Sequence, residues 1–230
     1  TFSFICMLSF DVFVKRMLIE KLIDENPDAS LIAVTSPTYE GVISDIESIC
    51  SAAHKRGIKV LVDEAHGAHL DLSPYFTGGA VRAHADIVVQ SLHKTLPCPT
   101  QTAILHINPE KTDTERLKHM LSVFESSSPS YLFLAAADGF VRSFDICAMQ
   151  RWSAAIDSFY EMLHTEKLLL SPALFDSRLV YKYDKSKILI SAANADIDGN
   201  ALAQLLRRKY NIETEINNKV KKSISDEISK

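Results

Sequence analysis

Short apolar runs and stretches of helical spacing alternate along most of the chain. Val12, Val14, Leu18, Leu22 and Ile23 fall near helical spacing and Pro27 marks a stop, so a helix is predicted over 12–25. The run SLIAVT (30–35) reads as a buried strand and SPTYEG as the turn after it. Ser44, with Glu47 three residues on, fits a capping box, and the helix it opens runs to Arg56 with Gly57 as its C′ residue. Ile58 to Val62 is the next strand, and it delivers Asp63 at its carboxyl end. Strand, turn, helix and strand at this length form a βαβ unit, which implies a parallel sheet with a right-handed crossover.

A loop over 70–85, with Pro74 and Gly78-Gly79, leads to a strand at 86–90 and then to Ser91, His93 and Lys94. The strand TAILHI (102–107) follows closely enough to be antiparallel to its predecessor. Residues 110–124 are helical and ESSSPSY is a loop. Long helical patterns cover 132–147 and 151–170, with a break near Met149. Beyond Pro172 the composition shifts. Two strands, 178–183 and 187–191, are joined by Asp184-Lys185, Asp198 caps a helix through Lys209, and 212–216 is extended. The polar, lysine-rich tail 217–230 is expected to fray. The pattern divides the chain into a large α/β domain (1–170) and a small C-terminal α+β domain (171–230), with no internal repeat.

Composition narrows the picture modestly. The chain has 230 residues, 47% hydrophobic and 23% charged, enough apolar material for one large domain and a smaller one. A net charge of −4 argues against nucleic acid or an anionic membrane as the main partner. The four cysteines are widely spaced with no C-x-x-C pair, which favours reduced thiols in a cytoplasmic protein over a disulfide framework or a zinc site. No run reaches the length of a membrane span. The opening TFSFICMLSF lacks the basic flank of a signal peptide, and because it starts at Thr1 it is expected to be the cut edge of something longer.

Two stretches carry the chemistry, VLVDEAHGAH and DIVVQSLHKTL. In open parallel sheets ligands sit at the carboxyl ends of strands, so an acid, a hydroxyl, imidazoles and an amine would share one crevice. VLVDEAH also matches the acidic motif of DEAH-type helicases. Such an ATPase needs a G-x-x-x-x-G-K-[ST] loop, and none of the seven glycines is arranged that way. Asp63, His66, His69 and Asp71 could ligate a metal, but no helical i, i+4 spacing fixes their geometry and no metal is assigned. His69 reads as a loop histidine meeting backbone or solvent, while for His66 spacing leaves a functional and a structural role equally open. Lys94, just past an apolar strand, is expected to be partly buried beside cationic or hydrogen-bonding groups. That setting disfavours the ammonium and leaves an amine suited to Schiff-base chemistry; the alternative is a lysine that snorkels to water. A lysine together with an acid on the preceding strand is what pyridoxal phosphate requires.

PTYEGVISDI, VLVDEAHGAH, SLHKTL, SSSPSYLFLA and ILIS…DIDGNALAQLLRRKYNI, in that order, resemble the major domain of the Orn/Lys/Arg decarboxylases, fold-type I pyridoxal-phosphate enzymes. The resemblance covers roughly residues 30–216; residues 1–14 carry none of it. It implies a mostly parallel sheet of the aspartate-aminotransferase type, here an incomplete large domain, with the small α+β domain after it. By this resemblance Lys94 is the lysine that holds the cofactor, Asp63 pairs with the pyridine nitrogen and Ala65 lies against the ring. His66 sits near ring and substrate, Ser91 and His93 are on the phosphate side, and Thr38 is a further residue beside the cofactor. Ser126 or Ser127 matches a segment that reaches the neighbouring subunit's phosphate, which implies a homodimer or higher homo-oligomer. The implied activity is decarboxylation of lysine, arginine or ornithine. The family's phosphate-cradling turn is not found before Leu31, so the chain is expected to be a fragment. Another pyridoxal-phosphate reaction, such as transamination, and a non-catalytic remnant stay as alternatives.

Overall fold

The computed structural model describes residues 3–7, 16–125, 128–162, 169–170, 180–192, 195 and 197–215. Strand β1 (Ser3–Met7), helix α1 (Arg16–Glu25), strand β2 (Ala29–Thr35), the short strand β3 (Val42–Ile43), helix α2 (Ile46–His54) and strand β4 (Lys59–Asp63) come first. Strand β5 (Ile87–Ser91), the one-turn helix α3 (Leu92–Thr95) and strand β6 (Ala103–Ile107) follow. Five of the strands form one sheet in the order β1-β2-β4-β5-β6, parallel throughout except for antiparallel β6. The antiparallel return at 102–107 is as the sequence implies. The opening residues supply β1, which pairs in parallel with β2 at one edge of the sheet.

Period-two burial shows which side of the sheet is closed. Ile32, Val34, Val60, Val62 and Val88 face α1 and α2, where Ile19, Ile23, Ile49 and Ala53 complete the core. Each such side chain contributes roughly 1.5–3 kcal/mol by leaving water. The alternate positions, Leu31, Ala33, Leu61, Ile87 and Val89, are only half-buried. At the amino ends of β4 and β5 the buried Asp86 Oδ2 accepts from Val60 N at 2.8 Å and meets His54 Nε2 at 2.7 Å, tying α2 to both strands.

Several boundaries differ from expectation for identifiable reasons. The cap of α2 is Asp45, whose Oδ1 accepts from Ser48 N at 3.1 Å; Ser44 instead takes a bond from its own N–H to Ser36 Oγ. Gly57 does close the helix, at φ +70. Helix α4 (Thr114–Phe124) starts later than 110, where Asp113 caps it. Helices α5 (Tyr131–Ser143) and α6 (Ile146–Met162) break at 144–145 rather than at Met149, because Asp145 Oδ1 accepts from Cys147 N. Residues 169–170 are not helical; they form β7 (Leu169–Leu170).

The expected C-terminal strands β8 (Lys182–Tyr183) and β9 (Ile190–Ser191) form, but not with each other. β8 pairs with β3 and β9 with β7. Helix α7 (Gly199–Tyr210) is capped by Asp198 as expected and ends at Asn211 in the left-handed region. Residues 12–15, 126–127, 163–168, 178–179 and 216–230, which parts of the sequence reading concern, lie outside the described residues. No described helix is long and apolar enough to cross a membrane.

Candidate active site

Strands β2, β4 and β5 lie side by side and leave the sheet at the same end. Thr35 is opposite Asp63, and Asp63 is opposite Val89. Ser36 N donates to Asp63 O at 3.0 Å and Glu64 N to Val89 O at 2.8 Å, so the three exits are stitched together. Strand alternation then separates two adjacent carboxylates. Asp63 follows Leu61 onto the open face and is exposed, while Glu64 follows Val62 toward the core and is buried. Asp63 Oδ1 accepts from Ala65 N at 3.1 Å, which orients its carboxylate beside the ensuing turn. At Gly67 any side chain would collide: a Cβ would come 2.5 Å from Glu64 Cγ and 2.7 Å from Pro37 Cδ.

That turn brings His66 to Lys94, whose Nζ lies 3.1 Å from His66 Nε2. Contrary to the sequence expectation, Lys94 is exposed, and the buried partner is the histidine at 9% exposure. Burial, then the charges of Lys94 and Lys187, hold His66 below the usual histidine range. Its Nδ1 is buried without a protein partner. Tyr39, in the turn after β2, meets the imidazole edge-on with ring centroids 4.8 Å apart. Its hydroxyl bonds to Glu215, and burial together with that carboxylate pushes it up to about 12.

Of the other candidates, Ala65 is half-buried beside Asp63. Ser91 ends β5 and makes no side-chain capping bond to α3. His93 Nδ1 is 3.0 Å from Thr102 O, which ties α3 to the start of β6. Thr38 is buried, and its Oγ1 accepts from Val42 N at 3.2 Å, closing the turn into β3. Ser126 and Ser127 lie outside the described residues. The residues weighed as metal ligands are dispersed. Asp71 accepts from Gly78 N and Gly79 N, and His69, fully buried rather than in solvent, sits with Nε2 3.1 Å from Asp184 Oδ2. Among the described residues no group of three such side chains is placed to hold a metal.

Sequence reasoning missed two features. Under the crevice runs a buried polar chain in which Ala80 N and Gln90 Nε2 donate to Glu64, and Gln90 Oε1 meets His106 at 2.9 Å. A glutamine inside the apolar run DIVVQS was its only local signal. Burial pushes Glu64 up to about 7 against the opposing pull of those two bonds. The second is Lys187, whose ammonium stands 6.0 Å from the Tyr39 ring centroid, a contact between distant segments that no local pattern announces.

The family model described as "Orn/Lys/Arg decarboxylase, major domain" matches residues 2–188. The chain belongs to the Orn/Lys/Arg decarboxylase family. The match begins well before the motifs first seen at residue 30 and takes in β1, so the opening residues belong to the family region after all. The arginine decarboxylase of Bacillus subtilis (strain 168) is 31% identical over 202 residues, covering 86% of this chain and 41% of that protein. The uncharacterized protein YaaO of the same organism is 45% identical over 121 residues, 52% of this chain and 25% of its own length. The chain therefore spans about two fifths or less of these two relatives. Among solved structures, ureidoglycine-glyoxylate aminotransferase of Bacillus subtilis aligns with a TM-score of 0.61 at 13% identity, over 90% of this chain and 56% of that one. Pyridoxamine-pyruvate aminotransferase of Mesorhizobium loti aligns at 0.60 and 15%, over 89% and 55%. These likenesses show the fold, a partial large domain of the aspartate-aminotransferase type.

Proposed function

We propose that the crevice formed by Asp63, His66 and Lys94 binds pyridoxal phosphate and serves the decarboxylation of a basic amino acid: arginine, lysine or ornithine. The observation that carries this reading is the meeting of Lys94 Nζ and His66 Nε2 at 3.1 Å, beside an exposed Asp63 on the neighbouring strand end. The donor set fits the cofactor. Lys94 is an accessible amine for its aldehyde, Asp63 an accessible carboxylate for its pyridine nitrogen, and the orphaned His66 Nδ1 a buried polar atom with capacity for a further partner. By the family resemblance Ala65 lies against the ring, Ser91 and His93 are on the phosphate side, Thr38 is beside the cofactor, and Ser126 or Ser127 belongs to a segment that reaches the neighbouring subunit's phosphate.

When bound, pyridoxal phosphate supplies an electron sink for the pair released as the Cα–carboxylate bond breaks. In the chain itself, Asp63 holds a proton at the ring nitrogen by charge, as a neutral side chain of the same size could not. Lys94 would hold the cofactor through its accessible side-chain amine. His66 is the adjacent group that accepts or returns the proton on the Lys94 amine. The protein acts as a homodimer, and the boundary near residue 170 separates the cofactor-binding domain from a small C-terminal one.

The test is borohydride reduction of the protein with pyridoxal phosphate, followed by peptide mass spectrometry. The cofactor should become fixed to Lys94, and Lys94→Ala should take up none. Labelling of another lysine, with Lys94→Ala still forming the visible absorption band, would reject the assignment. Release of carbon dioxide from arginine, lysine and ornithine is then compared, arginine first because the relatives bear that name.

A further inference from the structure

The turn after β8 is bolted onto the loop that carries His66. Asp184 is buried, its Oδ2 3.1 Å from His69 Nε2, three residues beyond His66. Its Oδ1 accepts from Ser186 N at 2.9 Å and Ser186 Oγ at 2.8 Å, and its N–H donates to Gly41 O. Lys185 O accepts from Tyr160, and Lys187 N donates to Asp184 O. The side chain of Lys187 then passes across Gly41, where an added Cβ would come 2.7 Å from Lys187 Cβ, and ends over the Tyr39 ring. Tyr39 in turn sits edge-on to His66. A cation is thus carried by a hydrogen-bonded turn to the Tyr39 ring that meets the imidazole.

We propose that Lys187 is a positioning residue of this site: its ammonium, fixed over Tyr39, keeps His66 a neutral imidazole so that Nε2 stays an acceptor for the Lys94 amine. One proton is shared across the 3.1 Å between the two nitrogens, and with Lys94 as the ammonium it is donated to Nε2. An imidazolium would carry N–H on both nitrogens, so Nε2–H would confront the Lys94 ammonium at 3.1 Å. Among the described residues, the charged and titratable groups that act on His66 are Lys94 on α3, Lys187 on the turn after β8, Glu215 beyond α7, Asp63 at the end of β4 and Tyr39. Burial opposes a positive ring most, the two lysines add to that, and the two carboxylates favour it. Removing either lysine charge therefore moves His66 toward the imidazolium, and removing Glu215 moves it the other way.

The inference rests on the reading of His66 and Lys94 as the reactive pair, but its test needs no cofactor. His66 is followed by NMR through its Cε1–H resonance in the protein alone, assigned by its loss in His66→Gln. Lys187→Met should move the titration midpoint of His66 upward, Lys187→Arg should restore it, and Glu215→Gln should move it downward. A merely structural lysine would give no such opposed pair of shifts. If Lys187→Met does not fold, Lys187→Gln serves in its place, with the same upward shift required. An unmoved or lowered midpoint in a folded Lys187 variant overturns the proposal. Failure of borohydride trapping at Lys94 with the NMR shifts intact would instead reject the cofactor reading and leave the control of His66 standing. In protein that does take up the cofactor, the acid limb of the pH profile of adduct formation should move up with the NMR midpoint in Lys187→Met.

Discussion

Asp63 and Glu64 are neighbours of the same charge with opposite fates, and strand alternation alone divides them. Glu64 is held in the core with a pKa of about 7 against an ordinary 4.5, raised first by burial. Between those values the unfolded chain has released a proton that the folded chain still holds, so stability falls as pH rises. Stability present below about pH 4.5 should be lost by about pH 7, on the order of 3 kcal/mol for a shift of this size. In Glu64→Gln, with Gln90 turned over to accept from the new amide, that decline should vanish from urea midpoints taken across the window. Equal pH slopes in both proteins would mean that Glu64 titrates as a surface carboxylate. Asp63 faces the crevice, and on the proposed mechanism its charge matters more than its volume. Asp63→Asn should keep the cofactor but lose about tenfold to a hundredfold in turnover, since a charge-assisted hydrogen bond is worth about 1.5–3 kcal/mol. Near-normal turnover at full cofactor occupancy would strip Asp63 of that role.

At the scale of elements, what could be read from the sequence was whatever local pattern determines. The runs at 30–35, 58–63, 86–90 and 102–107 are strands, and Asp198 and Gly57 bound their helices as their chemistry requires. The adjacency of β4, which ends at Asp63, and β5, which leads to Lys94, was legible too, because parallel topology sends successive strands out at one end. The acceptance of Ser44 as a cap failed because a better acceptor, Asp45, stands one residue on. The joining of β8 to β3 was beyond reach, since two-residue strands far apart in the chain carry no periodicity. The device that permits it is Gly41, at φ +98 with Lys187 and Asp184 against its open side. Gly41→Ala should therefore destabilise by about 1–3 kcal/mol, combining left-handed strain with the collision. It should also loosen Lys187 from Tyr39. A urea midpoint within error of the parent would show that the β3–β8 contact adds nothing to stability.

The whole molecule presents apolar surface that its described residues do not cover. One face of the sheet is only half-buried, and α4 and α5 fully bury none of their residues. On either side of 126–127 stand Phe124 at 84%, Tyr131 at 79% and Leu132 at 80% exposure. Patches of this kind mark contact surfaces rather than free ones. The opposite side of α5 packs Ala137 and Phe140 toward Leu92 and Leu96, the residues that frame Lys94. A second copy seated on the exposed side would thus brace the helix that packs against the turn carrying Lys94. This is the surface on which the proposed homodimer would form, and roughly 800 Å² per partner suffices for a specific interface. Sedimentation velocity between about 1 and 100 µM should show a monomer–dimer equilibrium, and the double substitution Phe124→Asp with Leu132→Asp should shift it to monomer. The fraction of Lys94 trapped by borohydride should fall with the dimer fraction if the site depends on association. A chain that stays monomeric across that range, with trapping unchanged by the double substitution, would show that this apolar surface serves another contact and that the site is built within one subunit.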